Sequence, residues 1–198
     1  MGGEPKGRGR HQAPCPFEFP PLKSTSLEFH PSNSSVSAPP PSPELPFPPQ
    51  DLDAFLALCE GEWLALRSLF SLAETLEDGA GDDAWHRSER SELSVRYQRG
   101  PTADGAGLLE VQPAGSAPRQ LAFHPNGTFR VGEQAGRWQL WPDGSLELVI
   151  DDPTVLVRER IWFTKPNLRL RSCVERRGDG PPDRASFSSE IRRMTRPS

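Results

Sequence analysis

Between Leu168 and Arg171 apolar and basic residues alternate one by one. A period of two places both leucines on one face of a strand and both arginines on the other. The same period recurs upstream, where Leu93, Val95 and Tyr97 alternate with Glu92, Ser94 and Arg96 and predict a half-buried strand over 91–98. Leu108–Val111 and Gln120–Phe123 read as short strands separated by a Pro/Gly loop. Asn126-Gly127 and Asp143-Gly144 tolerate the positive φ of type I′ turns, so each marks a hairpin. The second joins Gly136–Trp141 to Ser145–Ile150, and strand-like runs over 154–164, 168–176 and 185–193 follow. Ahead of them Asp51–Glu60 reads as a short helix, with Asp51 as N-cap, Asp53 in the first turn and Gly61 as the stop signal. Propensity alone lets that helix resume through Trp63–Arg67. The pattern amounts to eight or nine antiparallel strands in up-and-down order, and a sheet that long closes on itself to remove its edges. The expected fold class is mainly β, an up-and-down antiparallel β-barrel with a short N-terminal helix.

Composition divides the chain. Thirteen of the 23 prolines of this 198-residue sequence lie in residues 1–50, in runs such as Ala38–Pro43 and Leu45–Pro49. A segment that cannot supply regular backbone hydrogen bonds predicts a disordered or polyproline tail over 1–50, and the barrel is expected over 51–198. The tail holds as many acids as bases and no apolar run of signal-peptide length, and no stretch reaches transmembrane length. A formal net charge of −4 argues against non-specific nucleic-acid binding. Three widely spaced cysteines, Cys15, Cys59 and Cys173, suggest neither a disulfide framework nor a metal site. His124 sits beside a turn, His86 in a polar loop, and His11 and His30 in the tail; no metal cluster, Ser/His/Asp arrangement or phosphate-cradling glycine loop can be read. What remains is the face of Arg169 and Arg171, which meets either water or an anion.

Two longer motifs bear on that choice. Residues 159–171 read Glu-Arg-Ile-Trp-Phe-Thr-Lys-Pro-Asn-Leu-Arg-Leu-Arg, and residues 185–192 read Ala-Ser-Phe-Ser-Ser-Glu-Ile-Arg. In this order they closely resemble the S-type phycobiliprotein lyases of the CpcS/CpeS family. Gly61-Glu62-Trp63, with Arg67 four residues on, is similar to the Gly-x-Trp-x-x-x-Arg that opens the first strand in that family, which favours a strand over roughly 63–73. The span from Tyr97 to Trp138 is shorter than in the family and does not match its hairpin. The resemblance implies a barrel of the lipocalin/fatty-acid-binding type that holds a linear tetrapyrrole (a bilin, phycocyanobilin or phycoerythrobilin). It further implies transfer of that bilin to a cysteine of an apo-phycobiliprotein subunit through a thioether bond. Other implied features are a homodimer or paralogous partner subunit and a location in the cyanobacterial cytoplasm or the plastid stroma.

The chemistry of a bilin tells which residues it would use. Arg169, Arg171 and Arg67 are candidates for its propionates, and Glu159 and Glu190 for the pyrrole nitrogens. Cys173 shares the arginine face, as a small filler or as a thiol able to add to the bilin. Placing Glu159 on that face requires an odd hairpin loop, most simply 165–167, which pairs Phe163 with Arg169 and Ile161 with Arg171. Inward arginines with no partner in an empty barrel predict that removing them leaves stability flat or raises it, while Arg192 and Arg193 should be silent in bilin binding. The alternatives are a bilin or lipophile carrier without transfer activity, and an adaptor working through the proline-rich tail.

Overall fold

The computed structural model describes residues 47–72, 85–100 and 107–194. The tail to residue 46, with Cys15, His11 and His30, and the loop predicted around 79–83 lie outside the described residues. One helix, α1 (Leu52–Cys59), precedes ten strands: β1 (Gly61–Ser71), β2 (His86–Arg99), β3 (Gly107–Pro113), β4 (Arg119–Phe123), β5 (Thr128–Val131), β6 (Gln134–Leu140), β7 (Leu146–Asp152), β8 (Val155–Lys165), β9 (Leu168–Arg177) and β10 (Arg184–Arg192). Every neighbouring pair is antiparallel, and β1 pairs with β10 to close the barrel. The expected fold class is the observed one.

The strand count exceeds the expectation of eight or nine. β5 has only four residues and joins β6 through a tight turn at Gly132 (φ 58°), too short for alternation to register. β2 also begins at His86, so this histidine opens a strand and not a loop. Both predicted hairpins form, but their turns are not type I′. In each of these two turns only the glycine, Gly127 (φ 85°) or Gly144 (φ 76°), has positive φ, and no non-glycine does among the described residues. Asn126 and Asp143 instead use their side-chain oxygens to accept from the amides of Thr128 (3.1 Å) and Ser145 (3.0 Å).

The helix starts and stops where the sequence indicates. The Asp51 carboxylate accepts from the amide of Ala54 at 2.8 Å, and the chain leaves the helix at Glu60 for β1, through Gly61 at φ 131°. Ahead of it Pro49 is buried, and Pro48 and Pro49 pack on the turn at Gly144, so barrel contacts begin before Asp51. α1 closes one end of the barrel. Phe55 and Leu56 are fully buried, and Phe55 meets Phe163 edge-on with ring centroids 5.3 Å apart. The Trp63 indole donates to the carbonyl of Cys59 at 2.9 Å.

Arg192 fastens this closure. Its guanidinium donates to the carbonyls of Glu60, Leu58 (2.5 Å) and Pro166 (3.3 Å) and lies 4.5 Å from the Trp63 ring. It thus satisfies orphan carbonyls at the helix C-terminus. Arg192→Ala should lower unfolding free energy by about 1–3 kcal/mol, read from urea melts. Arg193, exposed and paired only with exposed Glu92 at 2.9 Å, should change it by less than about 1 kcal/mol. Equal melts for both variants would show that the closure does not depend on Arg192.

Candidate functional site: a buried ionic quartet inside the barrel

Strand register decides which side chains meet inside. Rows across the inner face run Ala65–Glu190–Arg169–Phe163, then Arg67–Ser188–Arg171–Ile161, then Leu69–Ser186–Cys173–Glu159–Leu148. Phe163 pairs with Arg169 and Ile161 with Arg171, as expected. The device differs from the three-residue loop predicted. Lys165 pairs with Leu168 across the two-residue turn Pro166-Asn167, and a bulge between Phe163 and Lys165 supplies the odd residue. Without that bulge Glu159 and the arginines would point to opposite faces.

Four of these side chains form one network. Arg169, fully buried, donates from Nε to Glu190 Oε2 at 2.6 Å, and its Nη2 lies 2.5 Å from the same oxygen. Arg171 donates from Nη1 to Glu190 Oε1 at 2.9 Å. It also donates to Glu159 Oε1 from Nε (3.0 Å) and Nη2 (2.6 Å). Two guanidiniums and two carboxylates balance to zero charge, the condition under which burying them is tolerable. Arg169 in addition lies 4.5 Å from the Trp63 ring. The expectation of unpaired inward arginines is therefore corrected: each has a carboxylate from a neighbouring strand.

The two acids are not equivalent. Burial raises Glu159, and the opposing charge of Arg171 does not overcome it. Burial pushes Glu190 the same way, but the charges of Arg169 and Arg171 together outweigh it and hold this carboxyl low. Glu159 Oε2 and Arg169 Nη1 are buried with no hydrogen-bond partner among the described residues. The site thus pairs an acid that keeps its proton longer with one that stays ionised, the separation that assigns different proton roles to neighbouring carboxyls.

Arg67 is half-buried in the second row, and its charge acts on Glu159. Cys173 is buried in the third row but is disulfide-bonded, so it offers no free thiol. Three widely spaced cysteines suggest no disulfide framework; Cys173 is nonetheless bonded. Cys59 is the free, buried cysteine. One inward residue escaped the sequence reading. Glu175, 1% exposed, lies one row beyond Cys173 and accepts from Arg177 at 2.9 Å. Its place two residues after Cys173 on the same alternation was the available signal.

The opposite wall is apolar: Val111, Leu121, Phe123, Phe129, Leu146 and Leu148 are buried, with Phe123 and Phe129 stacked at 5.9 Å. A closed up-and-down barrel with one apolar and one charged inner wall, sealed at one end by a helix, has the lipocalin-like architecture. A family described as CpeS-like protein matches residues 123–193. A relative from Paulinella chromatophora, chromophore lyase CpcS/CpeS 1, is 40% identical over 153 residues, 76% of this chain and 92% of the relative. Chromophore lyase CpcS/CpeS 1 of a Synechocystis strain is 25% identical over 171 residues, 73% of this chain and 91% of its own length. The solved S-type phycobiliprotein lyase CPES of Guillardia theta shares the fold with a TM-score of 0.58, 18% identity, and coverage of 75% of this chain and 96% of that one. The chain belongs to the CpcS/CpeS family of chromophore lyases.

Proposed function

We propose that this chromophore lyase holds a phycocyanobilin or phycoerythrobilin inside the barrel and delivers it to a cysteine of an apo-phycobiliprotein subunit. The observation that carries the reading is the unpartnered Glu159 Oε2, buried on the inner face beside Arg171. A bilin brings the donors that Glu159 Oε2 lacks, its pyrrole N–H groups, and its propionates bind at Arg67, Arg169 and Arg171. Its conjugated body suits the apolar wall of β3–β7. The acceptor thiolate adds to the ring-A ethylidene carbon, the C–S bond forms, and a proton enters the tetrapyrrole. Glu159, which retains its proton longer than an ordinary glutamate, keeps the pyrrole nitrogens protonated and the bilin electrophilic. Glu190 acts as the counter-ion that fixes both arginines, and the barrel contributes orientation.

In this reading Cys173 is wall and not nucleophile, since the acceptor brings the thiol. Residues 51–198 carry the function, and the protein works in the cyanobacterial cytoplasm or plastid stroma, alone, as a homodimer or with a paralogous subunit. The test separates lyase from carrier. Bilin-charged protein mixed with apo-subunit should leave zinc-fluorescent bilin on the subunit after denaturing electrophoresis; colour that stays with this protein would favour a carrier. Glu159→Gln should bind bilin but blue-shift or weaken its long-wavelength band, because the proton source beside the nitrogens is gone. Glu190→Gln should shift it less. An unchanged Glu159→Gln spectrum would place the pyrrole nitrogens elsewhere.

A further inference from the structure

Three adjacent strands of the barrel, β1, β10 and β9, present an uncharged apolar face outside. Leu64 (46% exposed), Leu66 (49%), Phe187 (42%), Ile191 (56%) and Val174 (41%) stand in solvent, and Trp162, half-buried, lies against Phe187 with ring centroids 6.2 Å apart. Register makes them one surface. Leu64 pairs with Ile191, Leu66 with Ser189, Ser189 with Leu170, and Leu170 with Trp162. The twelve outward positions of β1 (64–70), β10 (185–191) and β9 (168–174) include no acid or base. An apolar sheet face this continuous marks an interaction site, since the largest patch on an ordinary monomer is about 300–600 Å² and often functional.

Two observations choose the occupant. The rim is basic: leaving out the buried side chains, residues 155–192 hold seven Arg or Lys against two Asp, although the whole chain is at −4. Arg158, Arg160 and Lys165 are exposed along the β8 side of the patch, and Arg176 flanks it on β9. A second copy would bring basic rim against basic rim, so the charge favours an acidic partner. The second observation is position. With α1 closing one end, an incoming thiol must reach the interior from the other. The apolar face runs to that end, where Ala185 pairs with Val174 beside the Arg184–Glu175 row. We propose that this outer face of β1, β10 and β9 docks the acceptor subunit, through an apolar surface with an acidic rim, and so sets its cysteine at the open end of the barrel. The proposal rests on the bilin-transfer reading for the identity of the partner.

Calorimetric binding of a purified apo-phycobiliprotein subunit to the bilin-free protein tests it without requiring transfer. Leu66→Glu and Phe187→Glu should weaken that binding about tenfold or more, and raised salt should weaken the wild type. Bilin affinity should stay within about twofold, because both side chains point away from the interior. The milder pair Leu66→Ser and Phe187→Ser should weaken docking in the same order should either glutamate variant fail to fold. Wild-type docking unchanged in all the variants would overturn the proposal. So would a concentration-dependent dimer in light scattering that the variants dissolve, since the face would then be taken by a second copy. Docking lost in the variants, with no bilin transfer by the wild type, would support the surface and contradict the transfer reading instead.

Discussion

Glu190→Ala should unfold with a free energy about 3–5 kcal/mol below the wild type, the cost of leaving buried charge without its partner. The reason is local. Glu190 is the one acid that touches both arginines, at 2.6 Å from Arg169 and 2.9 Å from Arg171. Without it Arg169, fully buried, keeps no carboxylate, while Arg171 retains Glu159. For a domain of this size the melting temperature should fall by about 10 °C or more. The double variant Arg169→Met/Glu190→Leu should recover most of the loss, because the surviving Arg171–Glu159 pair is balanced and the removed pair is replaced by apolar volume. The pH dependence follows the same group. Its folded pKa lies below the ordinary 4.5, so its contribution is complete above 4.5 and is lost as pH falls through the folded value. Glu190→Gln should therefore lose stability less steeply than the wild type below 4.5. Glu159, raised by burial, has the opposite sign: its contribution is complete below 4.5 and is lost as pH rises through its folded value. Identical acid-unfolding curves for wild type and Glu190→Gln would show that the quartet does not bear on stability.

The second large effect concerns the ligand. Arg171→Ala should weaken bilin binding by about 2–4 kcal/mol, roughly 30- to 1000-fold. Arg171 is the member that joins both acids, and it retains 8% exposure where Arg169 has none. Its loss would both free a propionate and release Glu159 from its fixed position. Arg171→Lys should restore part of the affinity only, since an ammonium cannot reproduce donation from Nε, Nη1 and Nη2 at once. Fluorescence or absorbance titration reads the constant directly. Arg160→Ala is the control, on the next strand but outward and paired with Asp143 at the surface. Loss of affinity in both variants alike would point to a general electrostatic effect and not to the interior.

Most of this was legible where alternation was long and clean. Leu-Arg-Leu-Arg told which residues share a face, and the motif at 159–171 told that the arginine face is inner. The pairing of Phe163 with Arg169 followed from requiring Glu159 to share it. Three things were not legible. A four-residue strand such as Thr128–Val131 carries too few periods to announce itself. A bulge between Phe163 and Lys165 and a three-residue loop give the same parity, so only coordinates separate them. The partnering of charges across strands depends on barrel closure, which brings Glu190 beside Arg169 from 21 positions away. That last point reversed an expectation: inward arginines read as burdens are members of a neutral network.

The central claim is that this network holds the bilin for transfer, and covalent attachment tests it most directly. Apo-subunit, bilin and protein are mixed with the bilin held below the Arg171→Ala dissociation constant, and the subunit is then separated by denaturing electrophoresis and viewed by zinc fluorescence. Wild type and Arg137→Ala, exposed on β6 away from the docking face, should label the subunit equally, and Arg171→Ala should label it weakly or not at all. Labelling by Arg171→Ala at the wild-type rate would contradict the account.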